Sequence, residues 1–458
     1  MQAETIRNLV TQLHRSFDSG LTRPLSWRKQ QLQQLKRMLE EHQDKFYQAL
    51  KQDLNKSEQE AWTAEIGFTI GDIVHTIKHL RKWARPRKVS TPAFLQPASS
   101  YTLPEPLGTV LIIGAWNYPI QLTLAPLVAA IAAGNCAVVK PSELSAHSAA
   151  LLAELLPRYV DSNAIQLING GVAETTELLK LRFDHILYTG GEAVGKIVMR
   201  AASEYLCPTT LELGGKSPCI VDSNTDLKVT ADRIAWSKWM NAGQTCVAPD
   251  YIIVEKAFAA TLIEALKRTI TAFYGSDAKQ SPDYGRIINS RHFARLHHYL
   301  QDHNVVIGGD CDPEQLYLAP TVLLDPPLDS PVMQEEIFGP ILPIITVDDI
   351  QQAIALIKQK PKPLALYLYT KNQQFEQQVL SQISAGNVGI NEGMMFMANP
   401  NLPFGGVGNS GMGSYHGQTG FDTFSHLKTV LKRSFWFDVA LRYPPFSHVK
   451  LNWLKKLM

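Results

Sequence analysis

Between residues 110 and 202 short β-branched runs alternate with helix-period segments, with strands at 110–113, 137–139, 165–168 and 185–188 and helices at 122–133, 145–156, 175–181 and 194–202. No other feature constrains the fold as much. Strands separated by a helix pair in parallel, and the crossover helices then cover both faces of the sheet. Ligands on such sheets bind beyond the carboxyl ends of the strands, so the loops that follow these runs are where chemistry is expected. The alternation resumes after Thr210 with a strand at 219–221, a helix at 229–239, a strand at 251–254 and a helix at 258–273. Its signals recur around Ile344, at 350–357 and at 365–369. A second α/β unit is the economical reading.

A chain of 458 residues exceeds the size at which one core keeps growing, so two large units are expected. Upstream of the alternating run, Leu32, Leu35, Leu39, Phe46 and Leu50 fall at helical spacing within one surface helix over 26–50. Ser57 and Glu60 read as a capping box that opens a second long helix, ended by Pro86. His75 and His79 lie four apart on its face with no third ligand, so a solvated face is expected there and no metal. Residues 86–106, rich in Pro and Ser, read as an extended excursion at a boundary.

Lys and Arg number 44 against 42 Asp and Glu, with no basic block interleaved with aromatics, which argues against a nucleic-acid partner. Cys136, Cys207, Cys219, Cys246 and Cys311 are scattered without C-x-x-C spacing, against both a disulfide scaffold and a zinc site. The start lacks the pattern of a secretory leader, and no run reaches the roughly 18 apolar residues of a membrane span. A cytoplasmic protein is expected.

Several segments carry residues that make little sense as packing. A-W-N-Y-P (115–119) follows the first strand, where Asn117 is either an amide donor to an oxyanion or an Asn turn before Pro119. V-V-K-P-S-E (138–143) sets Lys140 and Glu143 at a strand-to-helix junction, a place where cofactor hydroxyls and phosphates are gripped. Y-T-G-G-E-A-V-G-K (188–196) lets a pyrophosphate approach at Gly190 and Gly191, although its spacing departs from G-x-G-x-x-G. L-E-L-G-G-K-S-P (211–218) places Glu212 among apolar neighbours, where burial raises a carboxyl pKa and suits a base; a Glu that only satisfies backbone N–H groups is the alternative. M-N-A-G-Q-T-C-V-A-P-D (240–250) holds Cys246 in a short polar loop, as a nucleophile or as a small buried hydrophobe. Q-E-E-I-F-G-P (334–340) and L-P-F-G-G-V-G-N-S-G-M-G-S-Y-H-G (402–417) add an acid pair and a glycine-dense loop.

In this order, the segments resemble the aldehyde dehydrogenase superfamily over most of the chain. P-F-G-G-V-G-N-S-G-M-G-S-Y-H-G followed by F-D-T-F-S-H narrows the resemblance to its class 3 branch of fatty and aromatic aldehyde dehydrogenases. The resemblance implies an α/β fold of two Rossmann-like parallel-sheet domains. An NAD(P)-binding domain would cover 1–85 and 105–210, a catalytic domain 211–415, a small β oligomerisation arm 86–104 and 424–436, and a tail 437–458. It also implies roles. Cys246 would attack the aldehyde, the Asn117 side chain and the Cys246 N–H would hold the oxyanion, hydride would pass to nicotinamide, and Glu212 would activate the water that hydrolyses the thioester. Glu336 would hold the nicotinamide ribose, with Phe338 packed beside it, and is the alternative base. Lys140 and Glu143 would contact the adenosine ribose. Gly190, Gly191, Gly195 and Leu213 would line the cofactor entry, and Tyr118, Trp236 and His416 the substrate funnel. Gly191 departs from the Ser or Asn usual in the family, which removes a side-chain contact near the pyrophosphate.

NAD is the implied cofactor, because Glu143 would repel a 2'-phosphate, with NADP as the alternative. The implied partners are an apolar aldehyde, matched by the soft stretch Met394, Met395, Phe396 and Met397, and a second copy of the chain in a homodimer. Two other readings stay open: transfer of the acyl group to coenzyme A, and a non-catalytic relative. Glu212 argues against the first, and the joint presence of Asn117, Glu212, Cys246 and Glu336 against the second. In the tail, Val449, Leu451, Trp453, Leu454 and Leu457 mix with Lys450, Lys455 and Lys456, an amphipathic pattern suited to a membrane surface or to docking on the protein or its dimer mate.

Overall fold

A computed structural model describes residues 1–438 and 440–457, so Val439 and Met458 of the expected tail, and the Leu457 side chain, lie outside the described residues. Two sheets dominate. The first has six strands in the order Gly411–Met412, Thr209–Leu213, His185–Gly190, Thr109–Ile113, Cys136–Lys140 and Ile165–Leu167, and only the first of these pairs antiparallel. Strand order reverses between Thr109–Ile113 and His185–Gly190, which opens a crevice at the carboxyl ends. Register then gathers the motifs, with Ile113 beside both Lys140 and Tyr188 and Thr189 beside Glu212.

Helix Gln121–Ala133 lies under this sheet and is buried at all its positions, as expected of a segment that is apolar all round. Its carboxyl end is closed by Gly134 in the left-handed region and by the buried Arg28, which donates to Ala132 O at 3.0 Å and to Thr22 O at 3.1 Å. A Cβ at Gly134 would stand 2.5 Å from that guanidinium, so the glycine is required twice over.

The second sheet orders Val305–Ile307, Thr321–Leu324, Ile341–Val347, Tyr251–Glu255, Pro218–Val221, Ala365–Tyr369 and Asn387–Ile390, parallel except for the first pair. A third, antiparallel sheet joins Arg87–Val89, Ala98–Pro106 and Ser425–Arg433, with Leu427 and Leu431 exposed along its edge strand. Among the described residues no helix is long and apolar enough to cross a membrane.

Three expectations need correction. The helix over 26–50 is two helices, Leu25–Glu41 and Gln43–Leu54, because His42 leaves helical geometry at φ −118°. The helix from Ser57 is interrupted by a π-turn at Trp62–Ile66, and only half of the capping box forms. Ser57 accepts from Glu60 N, while the Glu60 carboxyl turns inward toward the backbone N–H of Asn241. The boundary at 210/211 cuts through strand Thr209–Leu213, so Glu212 is built on the first sheet, and Gly411–Met412 returns to pair beside it. His75 and His79 meet with tilted rings at 4.2 Å, and His79 stacks on Trp83.

Candidate active site

The loop after helix Leu227–Trp239 is held by its own polar side chains. Asn241 and Ala242 sit at φ 52° and 49°, a left-handed geometry that costs about 1 kcal/mol or more per residue unless neighbours enforce it. Neighbours do. Asn241 Nδ2 donates to Asn117 O at 2.9 Å and to Gln244 O at 3.1 Å, and Gln244 Nε2 donates to Asn241 O and Arg286 O. Gly243 has φ 74°, and a Cβ there would meet Gly339 O at 2.2 Å, so the cysteine loop rests directly on the E-I-F-G-P segment. Cys246 follows, half-buried and unbonded to any other cysteine.

Asn117 stands opposite this loop, buried, with Nδ2 donating to Gln244 O at 3.0 Å. One of its two amide hydrogens is thereby spent, and an amide carries a second. Tyr118 beside it bonds Thr245 through its hydroxyl at 2.6 Å. Cys246, Glu212, Tyr118, Trp236 and His416 line one cavity of about 820 Å³, together with Trp62, Phe68, Met394, Met395 and Met397, of which Trp62 and Met395 are exposed.

Glu212 is buried, and neither carboxyl oxygen has a hydrogen-bond partner in the protein. Burial alone pushes its pKa well above the carboxylate range, in the direction expected for a base. Cys246 departs from the usual picture of an activated thiol. Burial, aided by the charges of Glu336 and Glu212, pushes it up to about 12, and only the N–H groups of Cys246 and Val247 favour the thiolate. His416, also buried, is pulled down to about 4 by burial and is neutral, its ring stacked on Phe404.

Glu336 lines a second cleft of about 760 Å³ with Gly214, Gly215 and Lys216. Its carboxyl lies so close to Gly214 that a Cβ there would stand 2.0 Å from Oε2. Burial, with Asp250 adding to it, pushes Glu336 up to about 8. Phe338, at φ 47°, meets Trp116 edge-on at 5.2 Å. Lys140 is buried and donates to Pro141 O at 2.7 Å and to the exposed Glu143 at 3.3 Å. Gly191 caps helix Glu192–Ser203, and a Cβ there would meet nothing within 4 Å. Open first-turn amides are the kind of group that holds a pyrophosphate, and Lys140, Glu143 and Glu336 carry side chains able to bond cofactor hydroxyls. Gly195 and Leu213 pack on each other at the root of that helix, where a Cβ on Gly195 would stand 2.8 Å from the Leu213 side chain. Among the described residues no cluster of His, Cys, Asp or Glu is placed to hold a metal ion.

Residues 1–430 match the model of the aldehyde dehydrogenase family. The chain belongs to that family. It is 50% identical over 448 residues to mouse aldehyde dehydrogenase family 3 member A2, covering 97% of this chain and 93% of the relative. It is 49% identical to the rat dimeric NADP-preferring aldehyde dehydrogenase, over 96% and 98% of the two chains. A solved structure of Staphylococcus aureus AldH in a substrate-bound state superposes with a TM-score of 0.97 at 45% identity, covering 98% and 99%. This aldehyde dehydrogenase is an NAD(P)-dependent oxidoreductase with the α/β fold of its relatives.

Sequence reading missed Lys56, Glu65, Asp72 and Tyr415. Lys56 forms a fully buried pair with Glu65 at 2.5 Å, and Asp72 and Tyr415 line the cavity. Lys56, Glu65 and Asp72 belong to no motif, and Tyr415 stands in the glycine-dense loop without having been singled out; the oddity of Lys and Glu beside apolar helix positions, nine residues apart, could have marked the first two.

Proposed function

We propose that the enzyme oxidises apolar aldehydes, medium- or long-chain aliphatic or aromatic, to carboxylic acids through a thioester on Cys246. The observation that carries this reading is the placement of Cys246 and an unpartnered, buried Glu212 in one cavity whose outer walls are Met and aromatic side chains. Cys246 Sγ adds to the aldehyde carbon as its proton passes to a neighbouring carboxylate. The Asn117 amide and the Cys246 N–H hold the resulting oxyanion. Bound NAD(P) supplies the hydride acceptor. Glu212 then takes a proton from water as the oxygen of that water adds to the thioester carbon, and the carbon–sulfur bond breaks to release the acid. Lys140, Glu143, Gly190, Gly191 and Glu336 hold the cofactor, and Glu143 at the ribose end favours NAD, although the rat relative is named NADP-preferring.

We also propose a homodimer built on the three-stranded arm, in keeping with the relative named dimeric. The site of action is the cytoplasm, with peripheral membrane contact through helix His448–Leu457, which exposes Val449, Leu451 and Trp453 beside Lys450, Lys455 and Lys456. Purified enzyme given a chain-length series of aldehydes with NAD or NADP should reduce the cofactor and release acid without coenzyme A. A requirement for coenzyme A would overturn the hydrolytic reading.

A further inference from the structure

We infer that Lys56 is a positioning residue for Asn117, acting through a buried ion pair with Glu65. The inference rests on the reading of Asn117 as the oxyanion donor. Lys56 is fixed at its backbone by two helix caps. Asn55, at φ 54°, ends Gln43–Leu54 and donates through Nδ2 to Tyr284 O at 3.0 Å, and Ser57 opens the next helix. Its ammonium makes three contacts, all fully buried: Glu65 Oε1 at 2.5 Å, Asn117 O at 2.8 Å, and the face of the Tyr118 ring at 4.0 Å.

Glu65 is aimed by the π-turn, a local geometry often found at functional sites. Its second oxygen accepts from Ile120 N at 2.8 Å and Gln121 N at 3.2 Å, at the start of the buried helix Gln121–Ala133. Residues 117–121 are therefore gripped from one side by Lys56 and Glu65. From the other side they are gripped by Asn241 Nδ2 on Asn117 O and by Thr245 on the Tyr118 hydroxyl. Asn117 is the point where both grips meet.

A buried ion pair contributes little net stability, because desolvation offsets the attraction. Orientation is a stronger reason to keep one here. A donor displaced by about 1 Å costs on the order of 100-fold in rate. The ammonium holds the Asn117 carbonyl, and with it the turn that points the side-chain amide at the cysteine loop.

The test is a double-mutant cycle of Lys56→Met and Asn117→Ala, read by the pre-steady-state burst of NADH with decanal. Thermal unfolding and NAD titration serve as checks of folding. The expected loss for Lys56→Met alone is about 10–100-fold in burst rate, with NAD affinity and KM changed less than about threefold. In the Asn117→Ala background the same change should cost under about threefold, because its target is gone. Equal losses in both backgrounds, or a wild-type burst in Lys56→Met, would overturn the inference. Should Lys56→Met not fold, Glu65→Gln takes its place in the same cycle and decides by the same criterion. A wild-type burst in Asn117→Ala would instead sink the oxyanion reading itself, a separate and recognisable result.

Discussion

The two ends of the cavity are built on opposite plans. At the inner end Asn117, Asn241 and Gln244 are cross-linked by hydrogen bonds between loops more than a hundred residues apart in the chain, and two residues are held in left-handed geometry. At the outer end Met395 and Trp62 are 49% and 41% exposed, and the wall is thioether and ring surface. The inner end tolerates little displacement, because a reacting geometry must be kept to a fraction of an ångström. The outer end is adaptable, since Met side chains refill irregular space at small cost. Fixed chemistry and adjustable substrate fit are thus assigned to different elements.

The comparison is broken most severely at its inner end. Cys246→Ala should lower turnover by at least about 10³-fold, to a level indistinguishable from background in an NADH assay. Glu212→Gln should lower steady-state turnover by about 10²–10³-fold while a burst of NADH close to one per active site survives. Equal loss of burst and steady state would place Glu212 before the thioester, in activating the thiol.

The pH profile separates the ends without mutation. Burial raises Cys246 to about 12 and Glu336 to about 8, so the acid forms of these two dominate at pH 6, and it moves Glu212 upward as well. Raising the pH creates the bases, and kcat/KM should climb steadily from pH 6 to 9. A profile flat over that range would contradict the burial-raised pKa values. The smallest effect belongs to the outer wall. Met395→Ala should raise KM for decanal by a few-fold to about tenfold, leave hexanal nearly unchanged and spare kcat. A kcat loss as large as that of Glu212→Gln would erase the distinction between the ends.

The alternation that positions the site was legible in the residues. The strands expected at 110–113 and 185–188 are observed at Thr109–Ile113 and His185–Gly190, because β-branched runs buried on both faces leave few other options. Of the motif residues, Glu212 and Cys246 line one cavity, and Asn117 bonds the loop that carries Cys246. What escaped was set by distant partners. Glu60 looked like the second half of a capping box, yet Asn241, some 180 residues away, draws its carboxyl inward. The His42 break and the π-turn answer to tertiary packing that no local window contains, and the Lys56–Glu65 pair, although only nine residues apart in the chain, is set by its distant contacts with Asn117, Ile120 and Gln121. The domain edge at 210/211 failed for the same reason, since Glu212 pairs with Thr189 on one side and Gly411 on the other.

The central claim is that Cys246 carries the acyl group and Glu212 releases it, and it is tested most directly by trapping. Glu212→Gln enzyme mixed with NAD and decanal, quenched in acid and digested, should yield the Cys246 peptide with an added decanoyl mass, at a stoichiometry matching the NADH burst. An unmodified Cys246 peptide beside a full burst, or the acyl mass on another residue, would contradict it.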